Sequence, residues 1–211
     1  MHRIVQGRTR VSLFDADEDY AATSRTTPDL LIVVSGCSGG GKSSLLREMA
    51  MRGWRVAPEP GRQIVREQTL VGGEGVPWLD LRKFVDLCVS RAAHFYHLAA
   101  AFDAATLFDR SIVDAVAALA RAGLPVPEDM SRALAVYRYS ATVYMVLPWE
   151  DLFENDAERR HSFADAVGEY EALLETYDDL GYALEVLPRA SILERADMLV
   201  AHIRKRQEVT L

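Results

Sequence analysis

Five short runs of apolar residues, rich in β-branched side chains, are spread along the chain and separated by segments with helical periodicity. The runs are residues 30–35, 54–57, 104–109, 141–147 and 182–187. Short apolar runs bounded by turn residues are typical of strands that are buried on both faces of a sheet. Because strands alternate with helices, right-handed crossovers and a parallel sheet are expected. The pattern predicts an α/β fold, a three-layer α/β/α sandwich around a five-stranded parallel sheet.

The segments between these runs carry apolar residues at helical spacing. The clearest of them predicts a helix that ends at Gly181, with a continuous apolar face formed by Phe163, Ala166, Val167, Tyr170, Leu173, Leu174, Tyr177 and Leu180. Other helices are predicted over residues 42–53, 64–68, 81–102, 113–122, 128–139 and 192–206. The last of these is expected to finish in the basic turn of residues 204–206, which suits the helix dipole.

The first 29 residues differ from the rest of the chain because they are polar and of mixed charge. This composition is typical of a flexible leader, and the apolar positions within residues 4–14 leave a short edge hairpin as the alternative. We therefore predict an N-terminal extension over residues 1–29 and a single α/β domain over residues 30–207.

Charge and cysteine content limit the possible partners. The 211 residues carry a net charge of −7, which argues against an extended surface for nucleic acid or for an anionic membrane. No apolar run approaches membrane-spanning length, and the N-terminus lacks the apolar core of a signal peptide. The two cysteines, Cys37 and Cys88, have neither zinc-site spacing nor a disulfide framework. We expect a cytoplasmic protein with no nucleic-acid or membrane partner.

The first apolar run leads into a glycine-rich turn and then directly into a helical pattern. Two glycines flank four residues and are followed by Lys and Ser, which is the phosphate-loop pattern. Glycines let backbone N–H groups approach phosphate oxygens, and the helix N-terminus adds a positive dipole end. Lys42 would reach the terminal phosphates, and the Ser43 hydroxyl would take one Mg²⁺ position. We predict that ATP or GTP binds through Gly36, Cys37, Ser38, Gly39, Gly40, Gly41, Lys42, Ser43 and Ser44.

Two acidic residues follow the second and third predicted strands. Asp109 ends the third strand and is placed to hold Mg²⁺, although an N-cap for the next helix is also consistent with its position. Glu59 lies between two prolines after the second strand, where it is either a general base or an ordinary turn residue. Ligands of parallel sheets bind beyond the carboxyl ends of the strands. Both acids are therefore expected to lie beside the phosphate loop.

Four arginines are candidates for contacts with phosphates or with an acceptor. Arg62 and Arg110 lie close in sequence to the two acids and supply guanidinium groups for phosphate or carboxylate, with solvated surface residues as the alternative. Arg159 and Arg160 belong to a charged segment after the fourth strand. They could close over the nucleotide as a lid, or form a solvated charge run before a helix capped by Ser162.

Taken together, these segments resemble the phosphate-loop nucleoside and nucleotide kinases. The resemblance is closest to a family of small bacterial "AAA-domain" predicted ATPases that are related to ribosylnicotinamide kinase domains. It covers nearly the whole chain apart from the leader, and the segments that carry it are residues 36–44, 58–62, 72–78, 108–111 and 155–160.

The resemblance implies roles for individual residues. Glu59 falls where deoxynucleoside kinases carry their base, and Asp109 with Arg110 matches their acid–arginine pair. Arg159 and Arg160 match lid arginines, and Arg189 lies in the segment that matches the loop touching the nucleotide base. The family is poorly defined in its substrates, so the resemblance names no acceptor.

Two classes of function remain open. The first is a kinase that uses ATP or GTP with Mg²⁺ and transfers the γ-phosphoryl group to a small hydroxyl or phosphate acceptor. Its catalytic residues would be Lys42, Glu59, Asp109, Arg159 and Arg160, and its acceptor would contact Glu59, Arg62 and Arg110. The second is an ATPase, or a nucleotide-dependent switch without an acceptor. A guanine-specific GTPase and a ring-forming remodelling ATPase are disfavoured by motif and by length. A monomer and a homodimer are both compatible with the sequence.

Overall fold

The computed structural model describes residues 28–152 and 162–210 of the chain. Its sheet consists of β1 (Leu31–Gly36), β2 (Arg55–Ala57), β3 (Thr106–Asp109), β4 (Thr142–Val146) and β5 (Ala183–Leu187). The strands run in the order β2-β3-β1-β4-β5, and every pairing is parallel. The predicted five-stranded parallel sheet is confirmed. Because β1 is central, the turn that follows it lies in the middle of the sheet's carboxyl edge.

Helices connect the strands. They are α1 (Lys42–Met51), α2 (Pro60–Val71), α3 (Leu81–Ala100), α4 (Ile112–Arg121), α5 (Glu128–Val136), α6 (Phe163–Asp179) and α7 (Ile192–Thr210). Short 3₁₀ turns lie at Pro28–Leu30 and Glu150–Leu152. Among the helices of residues 28–152 and 162–210, none is long and apolar enough to cross a membrane.

Several helix boundaries differ from the predicted ones, and three of the differences have a clear local reason. α2 begins at Pro60, directly after Glu59, because proline suits the first position of a helix. α5 ends at Val136, since Tyr137 leaves helical geometry. α7 continues to Thr210, so the basic residues 204–206 lie inside the helix. No glycine or proline follows them to end it.

The side chains of β1 alternate between two cores. Leu31 and Val33 pack on one face with residues of α3, α4 and α6. Ile32 and Val34 pack on the other face with residues of α1 and α7. A strand that is apolar on both faces is buried in a three-layer arrangement, which accounts for the continuous apolar run in the sequence. A further cluster, which includes Val85 and Leu119, joins α3, α4 and α5. The three-layer sandwich is confirmed.

Candidate functional site

The phosphate loop connects β1 to α1 and depends on its glycines. Gly41 caps α1 in a left-handed conformation, with φ of 79°. A Cβ on Gly40 would lie 2.7 Å from the carbonyl oxygen of Leu147, just past the end of β4. The loop is therefore pressed against the neighbouring strand, and only a residue without a side chain fits at Gly40. This packing holds the backbone amides at the N-terminus of α1 in a curved path.

Lys42 lies in the centre of the loop and is buried, with 6% of its surface exposed. Its Nζ donates hydrogen bonds of 2.6 Å to the carbonyl oxygens of Gly36 and Cys37. Burial lowers the pKa of Lys42, and the nearby guanidinium of Arg110 lowers it further, against the opposing effect of the carboxylates around it. A buried ammonium held by backbone carbonyls is placed to meet a negatively charged group that enters the loop.

Asp109 ends β3 beside β1 and is also buried. Burial, and then the charge of Glu59, raises the pKa of Asp109 to about 6, although Lys42 and Arg110 act in the opposite direction. Its Oδ1 has no hydrogen-bond partner within residues 28–152 and 162–210. The N-cap of α4 is Ser111, with a capping box, so Asp109 does not serve as the cap.

Arg110 is the charged centre of the site. Its Nε lies 3.2 Å from Oε1 of Glu59, and one terminal nitrogen lies 2.8 Å from Oε1 of Glu169 and 3.7 Å from Oδ1 of Asp114. Burial opposes its charge, but these carboxylates raise the pKa of Arg110 well above its ordinary value. Its backbone adopts φ of 70°, which is unusual for a residue with a Cβ.

Glu169 on α6 was not among the predicted site residues. Its Oε2 accepts a hydrogen bond of 3.2 Å from the backbone amide of Ser38 in the phosphate loop. Burial opposes its ionisation, but Arg110, Lys42 and that amide together lower the pKa of Glu169. A carboxylate therefore rests against the phosphate loop from the side of α6. The signal in the sequence was a charged residue three positions after Ala166, within the apolar face of an amphipathic helix.

Asp114 fixes the start of α4 behind Arg110. Its Oδ1 accepts a hydrogen bond of 2.5 Å from the hydroxyl of Ser35 at the end of β1. Its Oδ2 accepts one of 2.5 Å from the hydroxyl of Tyr177 on α6 and one of 2.8 Å from the amide of Ser111. Buried polar groups that satisfy one another in this way define a single arrangement. The network ties β1, α4 and α6 together around Arg110.

Arg195 on α7 is a second functional candidate that sequence reasoning missed. It is 2% exposed, and one of its terminal nitrogens donates a hydrogen bond of 3.0 Å to the carbonyl oxygen of Gly40. It lies over the ring of Trp149, 5.7 Å from the centroid. It has no ion-pair partner within the described part of the chain, and burial lowers its pKa. A buried cation without a carboxylate suits an anionic ligand.

Two cavities meet at this cluster. The loop cavity, of about 530 Å³, is lined by the phosphate loop, the start of α1, Trp149 and Arg195. The helix cavity, of about 450 Å³, lies between α2, α3, α4 and α6. Four residues, Ser38, Glu59, Arg62 and Arg110, line both cavities. The border between the cavities is therefore formed by Ser38, early in the phosphate loop, and by the charged groups around Glu59.

Most of the predicted site residues come together here. Residues 36–44, which include Ser43 and Ser44, form the loop and the first turn of α1. Glu59, Arg62 and Arg110 lie at the border, with Nε of Arg62 3.5 Å from Oε2 of Glu59. Arg189 donates a hydrogen bond of 2.8 Å to the carbonyl oxygen of Pro148, while its neighbours Ala190 and Ser191 line the loop cavity. Arg159 and Arg160 lie outside the described residues.

Comparisons with known proteins bear on the family. No curated protein matches this sequence. Among solved structures, deoxyadenosine kinase from M. mycoides with bound dATP is similar to this chain at 12% sequence identity and a TM-score of 0.49. The similarity covers 82% of this chain and 98% of that one. A family model described as an AAA domain matches residues 31–195, from the start of β1 to Arg195. The family resemblance stated from the sequence is thus confirmed, and the chain belongs to this family of AAA domains.

Proposed function

We propose that this protein is a small-molecule kinase, which transfers the γ-phosphoryl group of ATP or GTP to a hydroxyl or phosphate acceptor. The observation that supports this proposal is the pair of cavities that share Ser38, Glu59, Arg62 and Arg110. A switch or a simple ATPase needs one nucleotide site, whereas phosphoryl transfer needs a donor site and an acceptor site that meet where the phosphoryl group passes.

The loop cavity is proposed as the donor site. Backbone amides at the N-terminus of α1 and the Lys42 ammonium would surround the terminal phosphates. Arg195 would add positive charge from α7 while it holds the Gly40 carbonyl. Because these groups are fixed by packing before the nucleotide binds, they need little reorganisation during the reaction.

Mg²⁺ fits the residues between the loop and β3. The Ser43 hydroxyl lines the loop cavity, and Oδ1 of Asp109 has no partner among the described residues. Hydroxyl and carboxylate oxygens are the ligands that Mg²⁺ takes in phosphate-loop proteins. When bound, the ion would neutralise charge on the β- and γ-phosphates.

Glu59 is proposed as the general base at the border. The acceptor oxygen would attack the γ-phosphorus, and the bond from that phosphorus to the bridging oxygen of the nucleoside diphosphate would break. The proton of an acceptor hydroxyl would pass to the Glu59 carboxylate. Arg110 would stabilise the charge on the transferred group, and Arg159 and Arg160 would close over the nucleotide as a lid that adds positive charge.

The test is acceptor-dependent consumption of ATP, with mass-spectrometric detection of the phosphorylated product. Glu59→Gln should abolish most of this transfer, whereas the matched control Glu67→Gln, an exposed acid on α2 paired with Arg91, should leave it intact. ATP hydrolysis that no acceptor stimulates would contradict the kinase and favour the nucleotide-dependent switch.

A further inference from the structure

The helix cavity has an uneven distribution of polar and apolar walls. The charged groups at its border with the loop cavity are Glu59, Arg62 and Arg110, and Glu169 lies next to them. Arg110 contacts both Glu59 and Glu169, and Arg62 contacts Glu59. Its remaining walls are largely apolar and include Val65, Leu81, Phe84, Cys88, Ala118 and Leu173. Phe84 and Cys88 pack beside Gly61, so the apolar surface begins close to Glu59. Burial raises the pKa of Cys88 to about 12, so its thiol is neutral and adds no charge to the wall.

The opposite end of the cavity carries one polar pair, which is already engaged. Arg121, at the end of α4, donates a hydrogen bond of 3.1 Å to the backbone carbonyl of Asp165, and its guanidinium lies 3.7 Å from the carboxylate of the same residue. Both side chains are exposed to solvent, at 39% and 51%. The described lining contains no asparagine, glutamine, threonine, tyrosine or histidine. Ser111 and Asp114 also line the cavity, but both are engaged in hydrogen bonds with each other and with Ser35 and Tyr177. The polar side chains of the lining are therefore few and mostly paired with one another.

The cavity is long because its floor follows α4. Ser111 lines it at the start of this helix and Ala122 lines it just past the end. These residues are separated by about 16 Å at 1.5 Å of rise per residue. Between Asp114 near one end and Arg121 at the other, the side chains that α4 presents to the cavity are short, namely Ala115, Ala117 and Ala118.

We infer that the acceptor is an elongated alcohol with a terminal hydroxyl and an apolar aliphatic or aromatic body, and that nucleosides are poor acceptors. This inference rests on the proposed kinase function. The hydroxyl would lie at Glu59 and Arg110, and the body would extend along α4 between Phe84 and Leu173. Burial of an apolar body against these walls is favourable. The base of a nucleoside would instead lose its hydrogen bonds to water without replacement, because the walls that would surround it are apolar.

A panel of acceptors tests the inference directly. Octanol and phenylpropanol are compared with adenosine and thymidine, with ATP and Mg²⁺ present throughout. We expect kcat/KM for the two alcohols to exceed that for the nucleosides by at least about tenfold. A preference for a nucleoside would overturn the inference and leave the kinase proposal standing. A lack of transfer to any acceptor, with ATP bound, would overturn the kinase proposal and the inference with it.

Substitutions on α4 locate the acceptor. Ala118→Leu would fill the middle of the cavity, and the matched control Ala120→Leu changes an exposed residue of the same helix that does not line it. We expect Ala118→Leu to lower kcat/KM for octanol by at least about tenfold and to leave the Kd for ATP within about twofold. Equal effects of the two variants would overturn the placement of the acceptor.

Ala122→Phe provides a second variant at an exposed position, where folding is readily preserved. It would shorten the cavity at the end farthest from Glu59. We expect it to lower kcat/KM for octanol more than for butanol, whose shorter body would not reach this end. An equal loss for both alcohols would overturn the proposed orientation along α4.

Discussion

Substituting Arg195 by methionine removes a guanidinium that holds the phosphate loop from the side of α7, and it keeps a long, unbranched side chain in its place. The hydrogen bond from Arg195 to the Gly40 carbonyl is 3.0 Å long, and the side chain is almost completely buried. A hydrogen bond from a charged group contributes about 1.5–3 kcal/mol. If the guanidinium holds the loop in its binding geometry, its loss should raise the Kd for ATP by roughly 10- to 100-fold.

The free energy of unfolding should respond differently. Arg195 has no ion-pair partner among residues 28–152 and 162–210, and a buried cation of this kind is costly in the ligand-free protein, so its removal offsets part of the lost hydrogen bond. We expect the free energy of unfolding of Arg195→Met to change by no more than about 1 kcal/mol, because two terms of similar size oppose each other. Arg195 would then contribute more to the free energy of ATP binding than to the free energy of unfolding.

Calorimetric titration with ATP and Mg²⁺, together with urea unfolding followed by tryptophan fluorescence, measures both quantities. Arg204→Met is the matched control, because Arg204 is an exposed residue on the same helix. An unchanged Kd for ATP in Arg195→Met would refute the reasoning. The reasoning would also be refuted if the loss of binding free energy for ATP were no larger than the loss of unfolding free energy.

Three further predictions concern the border and the loop. Glu59→Gln should lower kcat for acceptor phosphorylation by roughly 100-fold or more and change the Kd for ATP little, since a general base acts in the transfer step. Steady-state kinetics measures kcat and calorimetry measures the Kd. An equal loss of kcat and of ATP affinity would argue against a general base. Gly40→Ala should lower the free energy of unfolding by about 1–3 kcal/mol and weaken ATP binding, because its Cβ would press on the Leu147 carbonyl. The control is Gly53→Ala, which has open space around it but a φ of 89°. Its backbone strain should also lower the free energy of unfolding, whereas ATP binding should be unchanged. Glu169→Gln should lower the free energy of unfolding by roughly 1–3 kcal/mol at neutral pH. Because the pKa of Glu169 is lowered in the folded protein, this loss of unfolding free energy should shrink as the pH falls below about 4.3. Urea unfolding of both proteins between neutral and acidic pH measures the difference. A difference that persists in acid would exclude the carboxylate charge as its source.

The sheet and the phosphate loop could be predicted because their signals are local. Each of the five apolar runs and the glycine-rich turn can be recognised within a short stretch of sequence, because its residue pattern reflects the backbone conformation of that stretch alone. The rules for parallel sheets place the carboxyl ends of all strands at one edge, and the phosphate-loop pattern favours β3 beside β1, because an acid on the neighbouring strand holds Mg²⁺. That position explains why Asp109 and Arg110 could be placed near the loop although they lie about 70 residues away from it in sequence.

Glu169 and Arg195 could not be assigned in the same way, because their partners lie 131 and 155 residues away. A common signal is nevertheless present in the sequence. Each is a charged residue on the apolar face of its helix, Glu169 beside Tyr170 and Arg195 beside Ala196. Such a residue interrupts the hydrophobic pattern, and it is buried only where a partner or a ligand compensates for its charge. The pattern could have marked both residues, but it could not have identified what they contact.

The left-handed backbone of Arg110 also restricts which residue can serve at this position. With φ of 70°, the residue carries strain of roughly 1 kcal/mol that glycine would relieve. Glycine, however, would remove the side chain that pairs with Glu59 and Glu169. A neutral or acidic side chain would lose the same pairs, and lysine would keep the strain while replacing a forked donor by a single ammonium group. No single substitution at this position both relieves the strain and keeps the paired guanidinium, so arginine is the side chain that serves the charged cluster at the cost of a strained backbone.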